Sequence, residues 1–134
     1  YDANAIEPGK RMLSSMTPTF IESDKGFVIL GTPGGSRIIS MILLSALNWI
    51  DGGDAKSMVS IPRFHHQYHP DYILYEEGAL TQNEISKLED MGHRLKQSKR
   101  KYGNMQVIEW NQKNKKLKTA SDPRGKEKSL TNVY

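Results

Sequence analysis

The chain contains no cysteine. That excludes disulfides and thiolate chemistry. It leaves an extracellular location open, because a core of this size needs no covalent staple. Long hydrophobic runs are also missing. The longest apolar stretch, Ile38 to Ile50, is interrupted by Ser40, Ser45 and Asn48 and bounded by Arg37 and Asp51. It is too short to cross a bilayer and reads as a core helix. There is no repeat, no low-complexity segment and no clear linker. No signal peptide is visible, and none is expected in an internal or processed segment. What remains is ordinary for one globular domain: 134 residues, 37% hydrophobic and 25% charged.

Charge is unevenly spread. Residues 1–92 carry 7 basic and 12 acidic side chains, whereas residues 93–134 carry 12 and 3. The basic part includes Lys96 to Asn104 and Asn111 to Lys118. Such clusters can bind phosphates. The second, however, lies between two strand-like runs, as an exposed hairpin loop does. Tyr102 and Trp110 are not spaced as a stacking platform. No nucleic-acid partner is expected.

The most informative stretch is GTPGGSRI, Gly31 to Ile38. Phe27 to Leu30 precede it as a strand, and Ile38, Ile42, Leu43, Ala46, Leu47 and Ile50 follow with helical spacing. Gly34 and Gly35 thus fall where a strand turns into a helix N-terminus. Backbone N–H groups there have no intrahelical acceptor and carry the positive end of the helix dipole. They suit an anion or a developing oxyanion. Upstream, Ser14 and Ser15 precede a Met-Thr-Pro-Thr run and offer two hydroxyls to a carboxylate.

These segments are adjacent by topology. Thr19 to Ser23 and Phe27 to Gly31 read as a hairpin around Asp24-Lys25-Gly26. In an antiparallel pair the start of one strand lies beside the end of the next. The serines and glycines are therefore expected to form one site. Further on, Gly52-Gly53 ends the long helix, and Asp54 caps a short helix that stops before Pro62. Thr81 and Glu84 form a capping box ahead of Ile85, Leu88 and Met91. Met105 to Trp110 and Leu117 to Ala120 are the last strands. The expected order is strand pair, helix, helix, strand, helix, strand pair. That is an α+β layer with a mixed sheet and helices on one face.

His65, His66 and His69 raise the question of a metal. Pro62 and Pro70 argue against a helix that would align His65 with His69, and no cysteine completes a site. No metal is expected, and the histidines are expected to pack or hydrogen-bond near the sheet. Arg63 and Asp71 are expected to pair locally. Asp122-Pro123-Arg124 reads as a turn.

The serine segment Lys10 to Phe20, the glycine turn and Ile61 to Asp71, in this order, resemble the small subunit of the gamma-glutamyltranspeptidase family. The opening Asp2 to Ala5 and the late Ala120 to Gly125 resemble the same family. The likeness runs from Asp2 to Tyr134. One departure is Met12, where the family usually has a proline before the serine pair; it removes no functional group.

The resemblance implies an N-terminal-nucleophile hydrolase fold, an αββα sandwich shared by a large and a small subunit. There a precursor cleaves itself, and the new N-terminal threonine of the small subunit attacks the substrate with its own amino group as base. Residue 1 here is Tyr, and the six threonines are internal. The chain, residues 1–134, is expected to be the C-terminal portion of a small subunit. Its partners would be the large subunit and the missing front of the small one.

By this resemblance, Gly34 and Gly35 look like the family's oxyanion pair, and Ser14 and Ser15 like the pair that holds the α-carboxylate of a gamma-glutamyl donor. The implied reaction passes a gamma-glutamyl group from glutathione or a related donor to water, an amino acid or a peptide. No cofactor is implied. In bacteria the family is usually periplasmic or secreted. Two alternatives share these motifs. One is a relative without the nucleophile that only binds or supports; the other is an enzyme acting on poly-gamma-glutamate.

Overall fold

The computed structural model describes residues 4–126. The likeness at Asp2 and Ala3, and that beyond Lys126, lies outside the described residues. Strands β1 (Thr19–Ser23) and β2 (Gly26–Gly31) form the expected hairpin, and β6 (Gln106–Asn111) and β7 (Lys116–Ser121) form a second. All pairings are antiparallel, in the order β1-β2-β6-β7. Strand alternation sorts the residues between two faces. Val28, Leu30, Val107 and Ala120 are buried on one. Phe20, Phe27, Ile108 and Leu117 are exposed on the other.

The buried face is covered by α1 (Ile38–Ile50) and α2 (Ala55–Ser60). In α1, Ile38, Met41, Ile42, Ser45 and Trp49 are buried, at the spacing of one helix face. The Ser45 hydroxyl donates to the Met58 carbonyl at 2.9 Å, so its burial between the helices is satisfied. The helix ends where Gly52, at φ 99°, turns left-handed. Asp54 then caps α2 with a reciprocal pair to Ser57, at 3.0 and 2.8 Å. The buried Glu109 of β6 accepts from the Ala55 N–H at 3.0 Å. A carboxylate at this helix start complements N–H groups that have no acceptor within the helix.

The middle of the chain departs from expectation. Three short strands form a second sheet: β3 (Phe64–His65), β4 (Ile73–Tyr75) and β5 (Leu95–Gln97), in that order. β3 is antiparallel and β5 parallel to β4. Helix α3 (Gln82–Asp90) supplies the crossover that parallel neighbours require. Its expected capping box is present, with Glu84 N–H on Thr81 Oγ1 at 3.3 Å and Thr81 N–H on Glu84 Oε2 at 2.7 Å.

Candidate active site

The glycine turn lies where the sequence puts it, with one refinement. Between β2 and α1 sits a single 3-10 turn, Gly35–Arg37, preceded by Gly34. Gly34 has φ 153° and Gly35 φ 59°. A Cβ on Gly34 would stand 2.5 Å from Met41 Cε, while one on Gly35 would meet nothing within 4 Å. The first position is glycine for space and conformation, the second for conformation alone. Both are exposed. Opening a helical turn, their N–H groups have no acceptor within it. The turn is closed by the Arg37 N–H on the Gly34 carbonyl at 3.3 Å.

Ser14 is exposed and Ser15 half-buried, in an irregular segment leading into β1. Met16 N–H donates to Ser14 Oγ at 3.3 Å, and Thr17 Oγ1 donates to the Ser15 carbonyl at 3.0 Å. Ser14 Oγ is an acceptor here, so its own proton can still be given to a ligand. The β1–β2 ladder begins with Thr19 opposite Leu30. Both candidate segments leave from that end, four residues beyond the last pair on each side for Ser15 and Gly34 and five for Ser14 and Gly35.

Beside the turn stands a set of side chains that sequence reasoning missed. Ser36 Oγ donates to Gln67 Oε1 at 2.6 Å, and His65 Nε2 lies 2.8 Å from the same oxygen. His65 Nδ1 is 2.7 Å from Ser40 Oγ on α1. His65 is buried, as expected of a histidine hydrogen-bonded at the sheet. Its neighbour His66 is exposed and lies 3.3 Å from Asp71. The Arg37 guanidinium lies 4.8 Å from the centre of the Tyr102 ring. The Tyr102 hydroxyl is buried without a partner among the described residues. Burial, aided by the Glu76 charge, pushes its pKa up to about 12.

The expected Arg63–Asp71 pair does not form. Asp71 binds Arg94 at 3.2 Å instead. Arg63 is fully buried and meets Asp122 at 2.5 Å. Strand alternation explains the difference: Phe64 pairs with Tyr75 and faces out, while Arg63 and His65 face in. Arg124 joins the same cluster, meeting Asp122 at 3.0 Å and gripping Glu76 with Nε at 3.0 Å and Nη2 at 2.5 Å. Burial opposes ionisation of Glu76. Arg124 and the backbone N–H groups of Tyr102 and Arg63 outweigh it and hold the carboxyl below its usual range. Asp122 is likewise held low against burial, by the N–H groups of Met105 and Arg124 and by both arginines. The Asp122-Pro123-Arg124 turn is therefore structural, and its side chains reach far across the fold.

Among the described residues, a four-stranded antiparallel sheet carries helices on one face and exposed apolar side chains on the other, with the glycine turn leading from β2 into α1. The class is α+β, part of an N-terminal-nucleophile hydrolase sandwich. The gamma-glutamyltranspeptidase family model matches residues 1–131, and the chain belongs to that family. The glutathione hydrolase proenzyme of Pseudomonas aeruginosa is 43% identical over 129 residues, covering 93% of this chain and 23% of that protein. A gamma-glutamyltranspeptidase structure from Pseudomonas nitroreducens, a highly active mutant, superposes with a TM-score of 0.82 at 42% identity. The match covers all of this chain and 70% of that one. A Helicobacter pylori gamma-glutamyltranspeptidase mutant gives 0.81 at 36% identity, covering 93% and 69%. The chain spans about a fifth of the length of the curated relatives it matches. Among the described residues, no helix is long and apolar enough to cross a membrane.

Proposed function

We propose that this chain is the C-terminal portion of the small subunit of a gamma-glutamyl-transferring enzyme. The assembled protein takes a gamma-glutamyl group from glutathione or a related donor onto a threonine outside residues 1–134. It then passes the group to water, an amino acid or a peptide. The large subunit and the front of the small one, made from one precursor, complete the site. We place the assembled protein in the periplasm or the medium, where the family is usually found in bacteria. The observation that carries this reading is the Gly34-Gly35 turn, which leaves the same end of the β1–β2 ladder as Ser14-Ser15.

The chemistry follows from the groups present. The Gly34 and Gly35 N–H groups hold the donor carbonyl oxygen as it becomes tetrahedral. One such donor is worth about 3 kcal/mol of transition-state stabilisation. Ser14 and Ser15 anchor the α-carboxylate and so align the gamma carbonyl for attack. No step on this chain's residues calls for a cofactor.

The test is amine release from a chromogenic gamma-glutamyl anilide by the full parent protein. Release that rises on adding a dipeptide acceptor is the expected outcome. A variant with Ser14→Ala and Ser15→Ala should lose activity toward normal donors far more than toward donors lacking the α-carboxylate. No release from a correctly processed two-subunit preparation would favour a non-catalytic relative or a poly-gamma-glutamate substrate.

A further inference from the structure

A 3-10 turn holds its shape poorly by itself, because its hydrogen bonds are few and badly angled. Here, among the described residues, only two backbone bonds close it, Arg37 N–H to Gly34 O at 3.3 Å and Ile38 N–H to Gly35 O. Yet an oxyanion site works only if its donors are fixed before the charge develops. The polar chain beside the turn supplies that fixation, and its hydrogen-bond directions can be assigned throughout. Gln67 Nε2 donates to the His69 carbonyl at 2.9 Å, which fixes the amide and makes Oε1 the acceptor. Oε1 takes the Ser36 hydroxyl proton at 2.6 Å and the His65 Nε2 proton at 2.8 Å. In the neutral ring His65 Nδ1 is then left to accept from Ser40 at 2.7 Å. Ser36 and Ser40 are four apart, so they share one helical face across the junction of the 3-10 turn and α1. The 65–67 segment ties one to the other.

We propose that Gln67, held by His65, is a positioning residue for the Gly34-Gly35 turn. It sets where the two N–H groups point by fixing Ser36, and it touches no reacting atom itself. This rests on the oxyanion role proposed above. Displacing such a turn by about 1 Å costs about a hundredfold in rate. It leaves donor binding nearly unchanged, because the donors act on the transition state.

The test uses the full, processed parent protein with Gln67→Met, which keeps the volume and removes the acceptor. Anilide turnover is expected to fall about ten- to hundredfold in kcat, with KM within about twofold. Gln67→Glu keeps an acceptor for Ser36 and His65 but loses the bond to the His69 carbonyl, and should recover only part of the rate. Hydrogen exchange at the Arg37 and Ile38 amides should quicken in Gln67→Met, with processing and thermal midpoint unchanged. Unchanged exchange at those amides would overturn the brace, as would an unchanged kcat in Gln67→Met where Gly35→Val is dead. Gly35→Val separates the two levels. If it stays active while exchange quickens in Gln67→Met, the brace stands and the oxyanion role fails. If it is dead while Gln67→Met is fully active, the oxyanion role stands and the brace fails.

Discussion

Gly34 and Gly35 look equivalent in the sequence and are not equivalent in the fold. A side chain at Gly34 must displace Met41, a core residue that is only 1% exposed. At Gly35 the space is open, and only the left-handed backbone resists. Asparagine adopts that conformation readily, whereas alanine loses about 1 kcal/mol. Gly35→Asn is therefore expected to unfold at nearly the wild-type denaturant concentration. Gly34→Ala should be the more destabilised of the two, by about 1–3 kcal/mol from overpacking and strain. Chemical denaturation of the assembled protein checks the order; equal midpoints would show that Met41 moves aside freely. The pattern of strand, Gly-Gly and amphipathic run was enough to place this turn. The 3-10 residues and the Ser36–Gln67 contact were hidden, because Gln67 lies 31 positions away and has no periodicity of its own.

At the scale of elements, what the sequence revealed tracks how local the determinants are. Helix α1 starts and ends where expected, since its apolar face and its glycine stop are contiguous. The capped helices were legible from Asp54 and from Thr81 with Glu84. Strands β3 and β5 were not, because each is two or three residues long, too short for alternation to show. β5 also sits in a basic run that reads as a solvated turn. Least visible was the cluster of Arg63, Glu76, Asp122 and Arg124, in which Arg63 reaches Asp122 across 59 positions.

That cluster makes a prediction about acid. Glu76 and Asp122 are both held below their usual pKa in the fold. Their contribution is complete above the unfolded carboxylate range, about pH 4, and is lost as pH falls through the lower folded values. Stability is expected to be level near neutrality and to drop below about pH 4. Asp122→Asn should cost about 3–5 kcal/mol at pH 7, because Arg63 stays buried without its counter-charge, and should flatten the acid slope. Denaturant titrations at a series of pH values read both effects; an unchanged slope would remove Asp122 from the account.

Taken as a whole, the molecule is a layer with apolar surface on both sides. Phe20 is 75% exposed on the open face of the sheet, with Phe27, Ile108 and Leu117 along it. On the outer side of α1, Ile39, Leu43, Leu47 and Ile50 are exposed in one stripe. Apolar faces of this extent mark surfaces that are covered in the working protein. Residues 1–134 expressed alone should self-associate and release no amine from the anilide. The same residues within the processed parent should do neither harm to solubility nor lose activity. Light scattering and the anilide assay distinguish these outcomes; a monodisperse isolated chain would mean that the open sheet face is tolerated in water.

The Arg63 cluster also bears on the order in which the protein is made. A ribosome delivers Arg63 and Glu76 long before Asp122 and Arg124, so the nascent chain holds an arginine and a glutamate whose ionic partners do not yet exist. Burying them early would strand two charges. Full docking of the second sheet is therefore expected to wait for the final hairpin. A product cut short ahead of Asp122 should be left with an unpaired Arg63 and be more open to proteolysis than the full chain.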